Sequence, residues 1–401
     1  MHIIRLFISG FRKKVKKMNR KAYLRFFSFF LFLTAPVLTF PFMKNYVDSG
    51  NYENRQFTER PKLSLKTLTT FPSQYDAYFS DYLPYKNQLV MLNNKKDTSL
   101  GAGTTLIEYR QKSVSVIRGK DDWLFYGTSV EEEQSVNDYL CNNLYEEDKL
   151  KEIAEGYTML QEKLKEEGSE LVVLYAANKE QIYSEYMPSS LKKGTYSRTE
   201  QLVDYINQNT SVPLLYVKDA LLKEKKNHRL FFKYDTHWNN LGGFVGGQLL
   251  NEYFHGEYVS LDDVSYSVVS REKSGDMADL LSMRSIYSDD VVYQIDRYKE
   301  GAEHTLVEDG GDYFKFTSNA KDQRSVLVGM DSFGYALMSI VYDFGKVTFA
   351  QEEKDFVKFY RKEHPDIVVL EIVERKKGTQ ENWCRELCEL LSEEKEGDMK
   401  K

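Results

Sequence analysis

Cysteine is scarce in this chain of 401 residues: only Cys141, Cys384 and Cys388 are present. The last two stand four apart in a helix-like stretch, where backbone geometry does not suit a disulfide, and no second Cys/His pair accompanies them. The chain therefore has no disulfide framework and no zinc pattern, and packing is the expected use of these thiols. Pro/Gly/Ser tracts, low-complexity segments and internal repeats are also missing, and with 41% hydrophobic residues the chain can build a real core. Acidic residues are absent from residues 1–43, which hold nine Lys/Arg. The rest carries 46 basic and 61 acidic residues, a balance of −15 behind the overall −6. An acidic body lacks the cationic surface that nucleic acid requires, so that class of partner is excluded.

What is present begins with Phe26–Met43, an uncharged apolar run. At about 1.5 Å per residue its length is roughly 27 Å, close to the ~30 Å hydrocarbon thickness of a bilayer. The basic cluster before it predicts a cytoplasmic amino terminus and an extracytoplasmic body. No small-x-small site closes the run, so an uncleaved anchor is expected over a signal peptide. Pro36 and Pro41 fall in its outer half and are expected to shorten the helix. The expected division is a basic tail over 1–21, an anchor over 22–43, a membrane-proximal stalk over 44–105 with a helical patch at Phe79–Leu92, and a catalytic domain over 106–401.

Within that domain, Val116–Tyr126 reads as strand–turn–strand with Gly119 at the bend. Leu150, Ile153, Ala154, Tyr157, Leu160 and Leu164 recur at helical spacing, Gly168 ends the helix, and Glu170–Ala176 follows as a buried strand. The alternation returns with strands at Ser325–Val328, Lys346–Phe349 and Ile367–Val373 and helices at Tyr335–Tyr342 and Trp383–Leu391. The pattern predicts an α/β fold with a parallel sheet, helices on both faces, and its site at the carboxyl ends of the strands.

Two constellations carry chemistry. In V-L-V-G-M-D-S-F-G-Y-A (Val326–Ala336) a strand runs into Ser332 and a helix is expected just after, so the helix amino end would stabilise an oxyanion. Taken alone, Ser332 fits a simple helix cap as well. In F-F-K-Y-D-T-H-W-N-N-L-G-G-F (Phe231–Phe244), Asp235 and His237 stand two apart, so a strand would place them on one face. An aspartate that accepts from an imidazole fixes its tautomer and frees the other nitrogen to act as a base. Trp238 would shield the pair, and Asn239 would cap a glycine-rich helix starting at Leu241. A buried histidine satisfied by a neighbouring carboxylate is the plain alternative. A metal reading of Asp235 and His237 lacks a third ligand of suitable spacing.

Seven short motifs in one order make the chain resemble the alginate O-acetyltransferase-like SGNH family (the AlgX/AlgJ type) and its Gram-positive DHHW relatives. They are E-N-R (Glu53–Arg55), G-K-D-D-W-L-F-Y (Gly119–Tyr126), N-K (Asn178-Lys179) and D-T-H-W-N (Asp235–Asn239), then S-G-D-M-A (Ser274–Ala278), D-S-F (Asp331–Phe333) and P-D-I-V-V-L-E-I-V-E-R (Pro365–Arg375). The resemblance covers roughly residues 51–376. It implies an SGNH-like (flavodoxin-like) fold behind a transmembrane helix, with Ser332 as nucleophile, His237 as base and Asp235 as its orienting carboxylate. That triad order is circularly permuted relative to ordinary SGNH hydrolases. Asn178, Lys179, Trp238, Asn239 and Arg375 become substrate-binding or oxyanion candidates, with a surface or structural role still open for Asn178, Lys179 and Arg375. The family's D-H-H-W reads D-T-H-W here, and its G-D-S-F reads G-M-D-S-F, which places Gly329 one position early.

The resemblance further implies a membrane-anchored O-acetyltransferase that modifies a cell-surface or secreted polysaccharide through an acetyl-enzyme, with no cofactor and no metal. A membrane-bound O-acyltransferase would supply the acetyl group, since no Gly-rich nucleotide motif suits soluble acetyl-CoA. An esterase using the same triad, or a non-catalytic glycan-binding scaffold, are the competing readings.

Overall fold

The computed structural model describes residues 20–43, 45–46, 56–64, 66–99, 104–109, 112–128, 134–297, 299, 301–311, 313–351, 353–377, 384–389 and 391–392. The chain divides into two compact units, Met1–Lys96 and Asp97–Lys401. In the first, helix α1 (Arg20–Met43) is about 36 Å long at the α-helical rise. It runs through Pro36 and Pro41 without ending, contrary to the expected shortening. Its 23-residue stretch Lys21–Met43 is long and apolar enough to cross a membrane, and none of that stretch is buried. The patch expected at Phe79–Leu92 is instead split between α2 (Phe71–Asp81) and α3 (Lys86–Ser99), with Tyr85 at positive φ in the break. The Glu53–Arg55 motif lies outside the described residues.

In the second unit, β1 (Thr104–Tyr109), β2 (Lys112–Arg118) and β3 (Leu124–Thr128) form an antiparallel sheet. The expected strand–turn–strand is there, but Asp121 and Asp122 adopt the left-handed backbone at the turn, not Gly119. Gly119 is needed for close approach, because a Cβ there would lie 2.2 Å from the Tyr186 carbonyl oxygen.

The main sheet has seven strands. Five are parallel, in the order β5 (Leu214–Tyr216), β4 (Glu170–Ala176), β12 (Ile367–Val373), β10 (Asp322–Gly329) and β11 (Phe344–Ala350). The edge beyond β11 is completed by antiparallel β9 (Tyr313–Ser318) and β8 (His304–Asp309), which sequence patterning missed. A separate hairpin pairs β6 (Ser265–Ser270) with β7 (Val291–Arg297).

Alternate side chains of each central strand enter different cores, because strand side chains alternate faces. Leu171, Val173 and Tyr175 of β4 pack with the buried stripe of α4 (Glu147–Glu166), which consists of Leu150, Ile153, Ala154, Tyr157, Leu160 and Leu164. Also on that face are α5 (Arg198–Asn209), α7 (Glu353–Glu363) and the buried Cys384, Leu387, Cys388 and Leu391. Each large side chain buried in this stripe contributes about 1.5–3 kcal/mol. Val172, Leu174 and Ala176 face the other way, toward α6 (Asn240–His255), whose Leu241, Phe244, Val245 and Leu250 are buried. Helices therefore cover both faces, as the alternation predicts. Adjacent strands β4, β12 and β10 end on one edge, which puts Asn178, Arg375 and Ser332 on neighbouring strand ends.

Candidate active site

The loop 229–239 carries Asp235 and His237. It is not the expected strand: only the isolated bridge Phe231–Trp238 pairs across it. The reason lies at long range. The buried Lys179 ammonium donates to the carbonyls of Phe232 (3.2 Å), Lys233 (3.2 Å) and Asp235 (2.6 Å), drawing the loop into a ring around one cation. Trp123 and Phe125 of the D-D-W-L-F-Y motif flank that ammonium at 5.7 and 5.2 Å. Burial pushes Lys179 down to about 8 although the Asp276 and Asp235 charges oppose it. Lys179 thus supports the loop from behind and does not face substrate. Lys179→Met leaves three carbonyls without their donor and is expected to cost about 3 kcal/mol. A thermal melt should show this as a fall in Tm of roughly 6 °C or more.

Asn239 and Trp238 are also scaffold, each under 3% exposed. Asn239 caps α6 by accepting the N–H groups of Leu241 and Gly242, and its amide donates to the Arg229 carbonyl at 2.6 Å. The Trp238 indole N–H donates to the Phe333 carbonyl at 2.9 Å, joining this loop to the turn that holds Ser332. On α6, a Cβ at Gly243 would meet the Ala336 carbonyl oxygen at 2.2 Å, so glycine there lets the helix press against that turn.

Ser332 follows the carboxyl end of β10. The Asp331 carboxylate accepts the Phe333 N–H at 2.8 Å and the Val373 N–H at 3.1 Å, which clamps the turn to the end of β12. The Asp331 N–H in turn donates to Glu371 at 3.3 Å. Burial, then the Asp331 charge, pushes Glu371 well above the carboxylate range. The α-helix expected after Ser332 is absent. Two 3₁₀ turns stand there, Gly334–Ala336 and Met338–Tyr342, too short for a helix-dipole argument. Among the described residues nothing accepts the Ser332 N–H.

Three side chains converge. The Ser332 hydroxyl lies 2.8 Å from His237 Nε2, and His237 Nδ1 lies 2.6 Å from Asp235 Oδ1. Asp235 is 4% exposed, while the His237 side chain keeps 29% exposure toward the edge of the sheet. Asp235 Oδ2 accepts from Arg271 at 2.7 Å and from the Asp276 N–H at 3.2 Å. Burial would raise the Asp235 carboxyl, but the hydrogen bond and charge of His237, then Arg271, hold it well below the usual range. Burial would lower His237, but Asp235 and then Asp276 overcome it and raise the imidazole above its ordinary value.

Arg271, Asp276 and Asp290 went unread as site residues. Asp290 accepts the N–H groups of Lys233 (3.2 Å) and Tyr234 (3.1 Å) and pairs with Arg229. Asp276 accepts from both the N–H (2.7 Å) and the hydroxyl (2.5 Å) of Thr236 and stands 3.6 Å from His237 Nδ1. Partial burial and the Asp235 charge push it up to about 6. The S-G-D-M-A motif was the available signal for it. Above that pH Asp276 is anionic and favours the imidazolium, so Asp276→Asn should move the acid limb of a pH–rate profile to lower pH. Its alkaline plateau should fall about fivefold, because the bonds orienting Thr236 weaken by roughly 1 kcal/mol.

Asp276 also supplies the third metal-ligand type that spacing did not reveal: donor atoms of Asp235, His237 and Asp276 lie within 4.8 Å of one another. A cation there would have to displace the Arg271 guanidinium from Asp235 and break the imidazole–carboxylate bond, so this donor set fits acid–base chemistry better than ligation.

Beside the three lies a second pair. The Asn178 backbone N–H donates to Glu374 at 2.6 Å, and its side-chain Oδ1 accepts from Arg375 at 3.0 Å. Arg375 lies over the Phe333 ring at 5.2 Å, and the Phe333 ring is 4.9 Å from that of His237. The Asn178 amide nitrogen is buried and has no hydrogen-bond partner among the described residues.

Residues 116–314 match the family model described as "SGNH hydrolase-like domain, acetyltransferase AlgX". That span holds Asp235, His237 and Asp276 and ends before Ser332. No curated protein matches the chain. Among solved structures, a DHHW family protein from Eubacterium siraeum is similar at 14% identity and TM-score 0.48, over 68% of this chain and 95% of that one. The O-acetyltransferase domain of Pseudomonas putida AlgJ is similar at 18% identity and TM-score 0.42 (68% and 98%), and Bacillus cereus PatB1 at 14% and 0.46 (65% and 96%). Through residues 116–314 the chain belongs to the SGNH hydrolase-like domains of the AlgX acetyltransferase type, the family whose motifs its sequence carries.

Proposed function

We propose that this chain is a membrane-anchored, extracytoplasmic O-acetyltransferase working on a cell-surface or secreted polysaccharide. The observation that carries the reading is the Ser332–His237–Asp235 chain of hydrogen bonds at 2.8 and 2.6 Å. In the first step His237 Nε2 takes the Ser332 proton while Oγ bonds to the donor's acetyl carbon. The imidazolium then protonates the leaving group, and an acetyl ester remains on Ser332. In the second step a sugar hydroxyl gives its proton to His237 and attacks that carbon, and Ser332 Oγ leaves and regains the proton. The Ser332 N–H and the Asn178 amide serve as oxyanion donors, with Arg375 holding Asn178. Asn178→Ala is expected to lower kcat by about 10²–10³ with KM nearly unchanged.

In this proposal Asp235 and His237 precede Ser332 in the chain, the permuted order. Residues 22–43 anchor the enzyme, with 1–21 cytoplasmic, 44–105 forming the stalk and 106–401 the catalytic domain outside. A membrane-bound O-acyltransferase hands over the acetyl group, which gives the anchor its purpose. The test is intact-mass analysis of the full-length protein after brief exposure to p-nitrophenyl acetate. An acetyl adduct mapping to Ser332, and absent from Ser332→Ala, is expected; an adduct elsewhere, or none, sinks the reading. Acetyl recovered on a sugar rather than as free acetate separates transfer from hydrolysis.

A further inference from the structure

Beside the nucleophile's turn lies a cavity of about 460 Å³ that the proposed chemistry does not use. Its size is within the roughly 300–1,000 Å³ range of small-molecule sites. Asn240, at the start of the helix that follows His237, forms one wall; Tyr335, three residues after Ser332, and Tyr342 form another. Asp296 on β7 and Lys299 close it from the hairpin side. We infer that this cavity is the acceptor site of the transferase reaction and that it takes an uncharged glycan segment, not a polyuronate or another polyanion. The inference rests on the transferase reading.

Two observations carry it. The walls alternate aromatic rings with hydrogen-bonding groups, as the faces and hydroxyls of a sugar require. Tyr335 is 39% exposed, with its ring held edge-on by Phe314 at 5.6 Å and its hydroxyl bonded to Gln351 at 2.7 Å, a rigid platform near Ser332.

Charge selects the class of sugar. Among the described residues of the lining, Lys299 is the only Lys or Arg, and it is paired with the buried Asp343 at 3.0 Å. Asp296 adds a carboxylate on the hairpin side, and everything after residue 43 carries a balance of −15. A polyanion would meet a net repulsive field, with one lysine that Asp343 already neutralises as the cation facing its carboxylates.

The test uses full-length Ser332→Ala protein in detergent, titrated calorimetrically with cellopentaose and with penta-mannuronate. Saturable binding of the neutral oligomer and at least tenfold weaker binding of the uronate are expected. Ala302→Trp, which fills the cavity from its exposed loop, and Tyr335→Ala, which removes the platform, should each weaken neutral binding by tenfold or more. In the same variants with Ser332 restored, the ratio of sugar transfer to small-ester hydrolysis should fall by a similar factor. Uronate binding as tight as neutral binding, no saturable neutral binding, or both variants binding like the parent overturns the inference. Glycan binding without any acetyl-Ser332 would instead sink the transferase reading and leave the cavity assignment standing.

Discussion

Ser332→Ala is expected to lower acetyl turnover by roughly 10⁵–10⁶-fold, with His237→Ala nearly as severe and the double variant no worse than either. The two side chains act as one device, since a hydroxyl without its base and a base without its hydroxyl both fail at the same step. The geometry leaves little room for a substitute: Thr236, beside His237, has its hydroxyl committed to Asp276 at 2.5 Å. Single-turnover release of p-nitrophenol by the full-length protein, with circular dichroism to check folding, measures the effect. A folded Ser332→Ala protein with more than a hundredth of the parental rate would remove Ser332 from the chemistry.

Asp235→Asn should cost about 10⁴ in kcat while leaving the fold intact. The surroundings dictate how an amide would sit. Asp235 Oδ1 accepts the His237 N–H at 3.0 Å as well as facing Nδ1, while Oδ2 accepts from the Asp276 N–H and the charged Arg271 guanidinium, and it is that cation that keeps the amide oxygen on the Oδ2 side. The amide NH₂ then faces His237 Nδ1 and forces it to act as acceptor. The imidazole proton moves to Nε2, pointed at Ser332, and the base is occupied before the reaction starts. Losing the carboxylate charge also lowers His237, so the acid limb of the profile should shift to lower pH even as the plateau collapses. Retention of a tenth of the parental kcat would contradict this orientation argument.

Local pattern reached some parts of the molecule and not others. Glu170–Ala176 and Ile367–Val373 are readable end to end because parallel central strands must be apolar on both faces. The stripe from Leu150 to Leu164 is readable because one helix face is sealed. Asp235 and His237 were legible as a pair, but the backbone that brings them together is a loop and not the strand whose alternation would have paired them. An ammonium more than fifty residues earlier shapes that backbone, and no local spacing encodes it. The helix expected after Ser332 failed for a related reason. Asp331 spends its carboxylate on Phe333 and Val373, and the backbone then breaks at Leu337 between two short turns. Arg271, Asp276 and Asp290 lie on or beside a hairpin whose strands are largely exposed, where hydrophobic periodicity carries little signal.

The indole bond from Trp238 to Phe333 has an evolutionary corollary. The 95-position interval that opens at His237 and closes at Ser332 is pinned at both ends, by that bond and by the imidazole–hydroxyl contact. Apart from Arg271, Asp276 and Asp290, which brace the Asp235 loop, the hairpin wall of the cavity can therefore be lengthened, recharged or replaced without separating base from nucleophile. If the proposed transferase reading holds, acceptor choice can change in this interval while the hydrogen-bonded Ser332–His237 pair stays in place.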